Sequence, residues 1–281
     1  MYERELSASI LADYDRWLRQ EERADATREK YLRSIRAFAA WLGGAAVTKD
    51  AVTEWKAHLV QQRQAPSTIN TALAALNGLL RFLGWEDCRA KFLKVQRRIF
   101  RAPERELTRA EYARLLAAAK NSGDARLALL MESICATGIR VSEVQFLTVE
   151  AAQCGRAEIA LKGKIRTILL PAKLCRKLLK YAKRQKIARG GSFLTTGGKG
   201  MDRRQIWAAM KRLCRKAGVA PSKVFPHNLR HLFATAYYRV YRDIVKLADM
   251  LGHSSIETTR IYLVESGAEH QRQLDRLGLI T

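Results

Sequence analysis

The stretch PHNLRHLFATAYY, Pro226 to Tyr238, sets His227, Arg230 and His231 within a turn and a half of helical pattern. Histidines at i and i+4 share a helix face, so two chemistries compete. A zinc helix of this spacing carries a Glu beside the first histidine as base, in HExxH. Here Asn228, Leu229 and Arg230 fill the interior, and a guanidinium one residue from a proposed ligand repels a cation. His253 is a possible third ligand, with only Asp249 and Glu257 near it in sequence. The other chemistry is a clasp for an anion. Pro226 suits the first turn of a helix. His227 then sits near a helix N-terminus, where free N–H groups and the dipole favour anions. Arg230, one turn on, offers a fork to phosphate. The residue types favour the anion over the metal.

Two further segments hold isolated polar groups. In CATGIRVSEVQFL, Gly138 breaks the chain after an apolar helix, Arg140 follows in the turn, and Ser142 and Glu143 open the next helix. Arg140 and Glu143 read equally well as a structural ion pair or as part of an anion site. In LGHSSIETTRIYLV, Gly252 ends a helix, His253 follows, and Tyr262 comes nine residues later near the end of a short helix. A tyrosine at helical spacing is by itself a core residue as readily as a reactive one.

Taken together, these spacings resemble the tyrosine recombinase (phage-integrase) family. The box with the first arginine is TGIRVSE, Thr137–Glu143; the hairpin lysine is Gly163–Lys164; HNLRH spans His227–His231; LGH is Leu251–His253; TTRIY ends at Tyr262. Five boxes in this order cover residues from about 105 to the C-terminus. The hairpin turn is shorter than in many members, and Lys162 is a near neighbour of Lys164. The resemblance implies a site-specific DNA recombinase that cleaves duplex DNA through a 3′-phosphotyrosyl bond and a Holliday junction, without metal, ATP or any other cofactor. It implies Tyr262 as nucleophile, Arg140 and Arg230 on the phosphate oxygens, and Lys164 as proton donor to the departing 5′ oxygen. His227 becomes the acid–base partner of the phenol and His253 a donor to phosphate. Glu143 and His231 support them. Double-stranded recombination sites, bound by a dimer per site and a homotetramer on two duplexes, are the implied partners. The tail ESGAEHQRQLDRLGLIT, with Leu274, Leu277 and Leu279, is expected to dock on a neighbouring subunit. Rival readings keep the chemistry but change the outcome, as a type IB topoisomerase-like relaxing enzyme, or remove it, as a silent DNA-binding architectural protein.

Elements must hold these groups in place. The first hundred residues alternate helical patterns with stops: an opening helix around Ile10–Trp17, a second with Leu32, Ile35 and Phe38 inward and Gly43–Gly44 as its stop, a third with Val52, Trp55 and Leu59, and a fourth after Pro66 with Ser67 as N-cap. This predicts a four-helix core-binding domain over 1–96. Arg28, Lys30, Arg33, Arg36, Lys56 and Arg63 on its polar faces are candidate DNA contacts. Charged KVQRRIFRAPERELT predicts a linker over 97–106, and Thr108 with Glu111 a capping box opening a second domain, 107–281. That domain reads as α+β: helices over 108–120 and 124–137, two short strands about a turn near Gly163, then helices to the tail. Lys162 and Arg166 of the hairpin join the DNA candidates. The expected architecture is mainly α with a small β-sheet, two domains forming a clamp around DNA.

Charge supports a polyanion partner. The chain has 281 residues, 51 Lys and Arg against 27 Asp and Glu, and a net charge of +24. Residues 1–100 carry +5 of this and residues 101–281 carry +19. Such a field attracts nucleic acid before anything else. Five scattered cysteines without a CxxC pair suggest reduced thiols. With a charged N-terminus and no long apolar run, a cytoplasmic, nucleoid-associated protein is expected, with no membrane partner.

Overall fold

Hydrophobic spacing and stop signals set the elements of the computed structural model, which describes residues 4–95, 103–161, 164–193, 198–262, 271–272 and 275–277. The chain divides into two units, Met1–Arg97 and Arg98–Thr281. The first holds α1 (Ala8–Gln20), α2 (Asp25–Leu42), α3 (Lys49–Gln61) and α4 (Pro66–Phe82). Their apolar faces meet in two clusters, one around Tyr14, Ile35 and Leu79, the other around Phe38, Trp55, Leu73 and Leu76. Gly43 stops α2 in the left-handed conformation at φ 64°. Pro66 is itself the first residue of α4, with Ala65 before it, so Ser67 is not the cap. Proline's fixed φ and absent N–H fit that first position. Asn70 and Asn77, two turns apart on α4, each clip the returning chain, at Leu93 and Ala90 respectively, through paired hydrogen bonds of 2.8–2.9 Å.

The second unit runs α5 (Arg109–Asn121), α6 (Ala125–Thr137), α7 (Val149–Cys154), β1 (Arg156–Leu161), β2 (Lys164–Leu169), α8 (Ala172–Arg184), α9 (Arg203–Ala217), α10 (Pro226–Tyr241), α11 (Ile244–Leu251) and α12 (Ile256–Arg260). The capping box of Thr108 and Glu111 is formed. Leu115, Leu130, Ile134, Ile159, Leu178, Ile206, Met210 and Leu229 build one core from α5, α6, β1 and α8–α10. The strands pair antiparallel, with Ile159 opposite Arg166 and Leu161 opposite Lys164. Among the described residues the regular structure is otherwise helical, save a single antiparallel bridge between Thr148 and Gly191. All five cysteines are free thiols. Among the described residues no helix is long and apolar enough to cross a membrane. Of the tail, Leu274 and Leu279 lie outside the described residues, and Leu277 is exposed.

Candidate active site

Two helix ends and one helix start converge on Arg230. Gly138 terminates α6 at φ 65° and Gly252 terminates α11 at φ 63°. Each leaves carbonyls without intrahelical partners. Arg230, on the second turn of α10 and 2% exposed, donates to the carbonyls of Gly138 and of Leu251, the latter at 2.8 Å. Two negative helix ends thus offset a buried cation. Burial still pulls Arg230 below the ordinary arginine range, against the opposing effect of its hydrogen bond to Tyr262.

The last carbonyls of α11 serve three guanidiniums in succession. Arg166 donates to Met250 (3.2 Å), Arg230 to Leu251, and Arg140, more weakly, to Gly252 (3.4 Å). Two of them, Arg140 and Arg166, share the counterion Glu143, whose side chain is 5% exposed. It accepts from the Arg140 backbone N–H at 2.7 Å, from the Arg140 guanidinium at 3.0 Å and from Arg166 at 2.6 Å. Burial alone would raise this carboxyl; the Arg140 N–H and the two guanidiniums more than reverse it and hold it below the usual range. With Arg230 held by carbonyls rather than by a carboxylate, three guanidiniums against one carboxylate leave the centre with positive charge in excess.

His253 follows Gly252. Its Nε2 lies 2.9 Å from the Arg230 guanidinium and its Nδ1 2.9 Å from Thr259 Oγ. A guanidinium only donates, so Nε2 accepts and Nδ1 carries the proton. Burial, then the charges of Arg230, Arg140 and Arg166, push the imidazole down to about 4. Tyr262, 3% exposed, stands just past α12. Three imidazoles surround its ring, with centroids at 6.1 Å for His227, 5.1 Å for His231 and 5.9 Å, stacked, for His253. It shares an apolar cluster with Ala234, Leu247 and Leu251. Helix α12 is shorter than the pattern SIETTRIYLV suggests, because its β-branched residues are weak helix formers. Thr259 hydrogen-bonds His253 instead, a role the sequence reading did not assign.

A cleft of about 870 Å³ opens on this centre, lined by Arg140, Ser142, His227 and Arg230 together with Arg203, Arg204 and Trp207 of α9. Phe225 provides no side-chain cap for α10; Pro226 opens that helix at the cleft, and the Asn228 N–H donates to the Phe225 carbonyl at 3.0 Å. The α9 residues were missed because DRRQIWAAMKRL reads as an ordinary amphipathic helix; its adjacent arginines were the available signal. Among the described residues no group of three or more His, Cys, Asp or Glu could hold a metal ion.

The remaining candidates separate. Lys164 begins β2, and Lys162 lies outside the described residues. Arg166 does not stand open to a duplex: its side chain is 15% exposed and engaged with Glu143 and α11. Arg28 is likewise occupied. Asp15 grips it at 2.9 and 3.0 Å, and Asp25 pairs with it as well. Lys30, Arg33, Arg36 and Arg63 are exposed, and Lys56 donates to the Lys91 carbonyl at 2.8 Å.

Comparison with known proteins gives the family and the fold. The pattern of the Phage integrase family matches residues 105–268, and that of the Phage integrase, N-terminal SAM-like domain, matches residues 11–87. The chain is 28% identical to Tyrosine recombinase XerA of Thermococcus kodakarensis over 94% of its length and 93% of the relative's. It is 31% identical to Tyrosine recombinase XerC of Roseiflexus castenholzii, over 92% and 84%. Its fold resembles a lambda integrase tetramer bound to a Holliday junction, with a TM-score of 0.75, 18% identity and coverage of 93% and 78%. It also resembles XerH site-specific recombinase bound to difH substrate, with a TM-score of 0.69, 20% identity and coverage of 95% and 84%.

Proposed function

Because the chain belongs to the phage integrase family and is a tyrosine recombinase, we propose that it exchanges DNA strands at specific sites through a phosphotyrosyl bond on Tyr262. The convergence of Arg140, Arg230, His253 and His227 with a buried phenol beside one arginine-lined cleft carries this reading.

Cleavage needs a nucleophile, charge stabilisation and two proton transfers. The Tyr262 oxygen attacks phosphorus, the bond to the 5′ oxygen breaks, and the covalent ester conserves bond energy for religation. His227 faces the phenol and takes its proton. The pentacoordinate transition state gathers charge on the non-bridging oxygens, opposite Arg140 and Arg230. Losing one such preorganised donor costs roughly 3–4 kcal/mol. When Arg230 turns a nitrogen to phosphate, His253 is released at Nε2. Thr259 can then donate to Nδ1, since a hydroxyl both gives and accepts, and the shifted tautomer donates from Nε2 to phosphate. Lys164 protonates the departing 5′ oxygen. The exposed basic residues of the first unit and Arg203 and Arg204 of the second hold the duplex by its phosphates. Assembly is a dimer per site and a tetramer on two duplexes joined by a Holliday junction, as in the lambda integrase complex. The chain works on chromosomal or mobile DNA in the cytoplasm.

A nicked substrate that loses its 5′ fragment after cleavage tests the reaction. The wild type is expected to accumulate a covalent adduct at Tyr262, mapped by peptide mass, and Tyr262→Phe none. An adduct on another residue, or undiminished cleavage by the variant, refutes the proposal. Relaxation of any supercoiled plasmid without exchange between sites would favour the topoisomerase-like outcome.

A further inference from the structure

Arg166 occupies the junction of three parts of the centre. It stands on β2, two residues after Lys164 and opposite Ile159, which is 2% exposed, so this face of the ribbon turns inward. Its guanidinium reaches Glu143 at 2.6 Å and the Met250 carbonyl at 3.2 Å. Glu143 in turn holds both the backbone and the guanidinium of Arg140. The Arg166 side chain also lies flat against Gly252: a Cβ there would sit 2.4 Å from its terminal nitrogen. His253 is the next residue. A single side chain thus ties the lysine-bearing strand to the turn that presents His253 and to the counterion of Arg140.

We propose that Arg166 is a positioning residue that sets the strand carrying the general-acid lysine against the phosphate pocket. The assignment rests on the cleavage reaction proposed above. A planar fork suits the task because it meets a carboxylate and a carbonyl in one plane. A lysine at this position keeps the charge but not the two directions. With the fork gone, β2 is free to shift relative to Arg140 and His253. A displacement of about 1 Å at a reacting group is worth on the order of a hundredfold in rate. Lys164, which begins β2, is the group whose placement suffers most.

The test compares full-length wild type, Arg166→Gln and Arg166→Lys on two nicked substrates. One has the ordinary phosphodiester. The other has sulfur at the 5′ bridging position, whose thiolate leaves without a proton. Cleavage of the ordinary substrate by both variants is expected to fall about tenfold to a hundredfold. The sulfur substrate should recover at least tenfold of the Arg166→Gln loss. Affinity for the uncleaved site and its salt dependence should stay within about threefold of wild type. A role in general folding would depress both substrates equally, and that result overturns the proposal. So does unchanged cleavage, or a salt slope reduced by about one, which marks a lost phosphate contact. Arg166→Lys carries the comparison alone if the glutamine variant does not fold. A wild type that forms no adduct fails the parent reaction as well, and so separates the two failures.

Discussion

Replacing Glu143 by Gln keeps its shape and removes its charge. The carboxylate accepts three hydrogen bonds from donors only, namely the Arg140 N–H and two guanidiniums. A glutamine retains one accepting oxygen; its amide group must face a donor. The Arg166 pair is the buried one, with side chains 15% and 5% exposed, whereas Arg140 is 42% exposed and rehydrates readily. Breaking a buried pair by removing one partner costs about 3–5 kcal/mol, and the exposed half of this arrangement contributes little. A loss of roughly 3 kcal/mol is therefore expected in the second unit. At about 2–4 °C per kcal/mol for a domain of this size, its melting temperature falls by roughly 6–12 °C. Thermal unfolding of the full chain, followed by circular dichroism, gives the shift, and adduct formation on a nicked substrate gives activity below the new transition. Activity should fall as well, because Arg140 loses its anchor. A melting temperature within 2 °C of wild type would show that the guanidiniums do not depend on this carboxylate, and the charge argument would fail.

Three further outcomes are expected. His253 has a folded value of about 4, below its ordinary 6.5; its neutral ring therefore contributes full stability above about pH 6.5, lost as pH falls toward 4, by at most roughly 3 kcal/mol. Denaturant unfolding between pH 7.5 and 4.5 should show a shallower pH dependence in His253→Gln than in wild type, and equal slopes refute the assignment. Gly138→Ala places a Cβ 2.4 Å from Phe233 at a left-handed φ of 65°; a loss of roughly 2–4 kcal/mol follows, and adding Phe233→Leu should return part of it in the same melt. Lys164→Ala should slow cleavage of an ordinary phosphodiester and be rescued by the sulfur-bridged substrate, whereas rescue confined to Lys162→Ala would transfer the general acid to that residue.

What the sequence disclosed was local. Thr108 with Glu111 announces a helix start because both partners lie within one turn, and Gly138 and Gly252 announce helix ends because only glycine takes that conformation without strain. The alternation in EIALKGKIRTILLP locates the ribbon for the same reason. What stayed hidden depends on partners distant in the chain. Arg28 looked like a phosphate contact, yet Asp15 on the preceding helix claims it. Arg166 looked like one too, until Glu143 and the end of α11 came within reach of it. Neither pairing leaves a periodic trace. Helix α7 is too short for a pattern, and Ser67 lost the cap to a proline whose ring already fitted the first turn. Arg203, Arg204 and Trp207 needed the cleft to be seen as neighbours of His227.

Tyr262 lies among histidines of its own chain. If cleavage runs on Tyr262 as proposed, two damaged proteins, one without the phenol and one without Arg230, should fail to lend each other the missing part. Mixed together, they hold no whole centre between them. In a mixture of intact and phenol-less chains, the number of strands broken should track the intact copies one for one, so each subunit's contribution can be counted at a synapse.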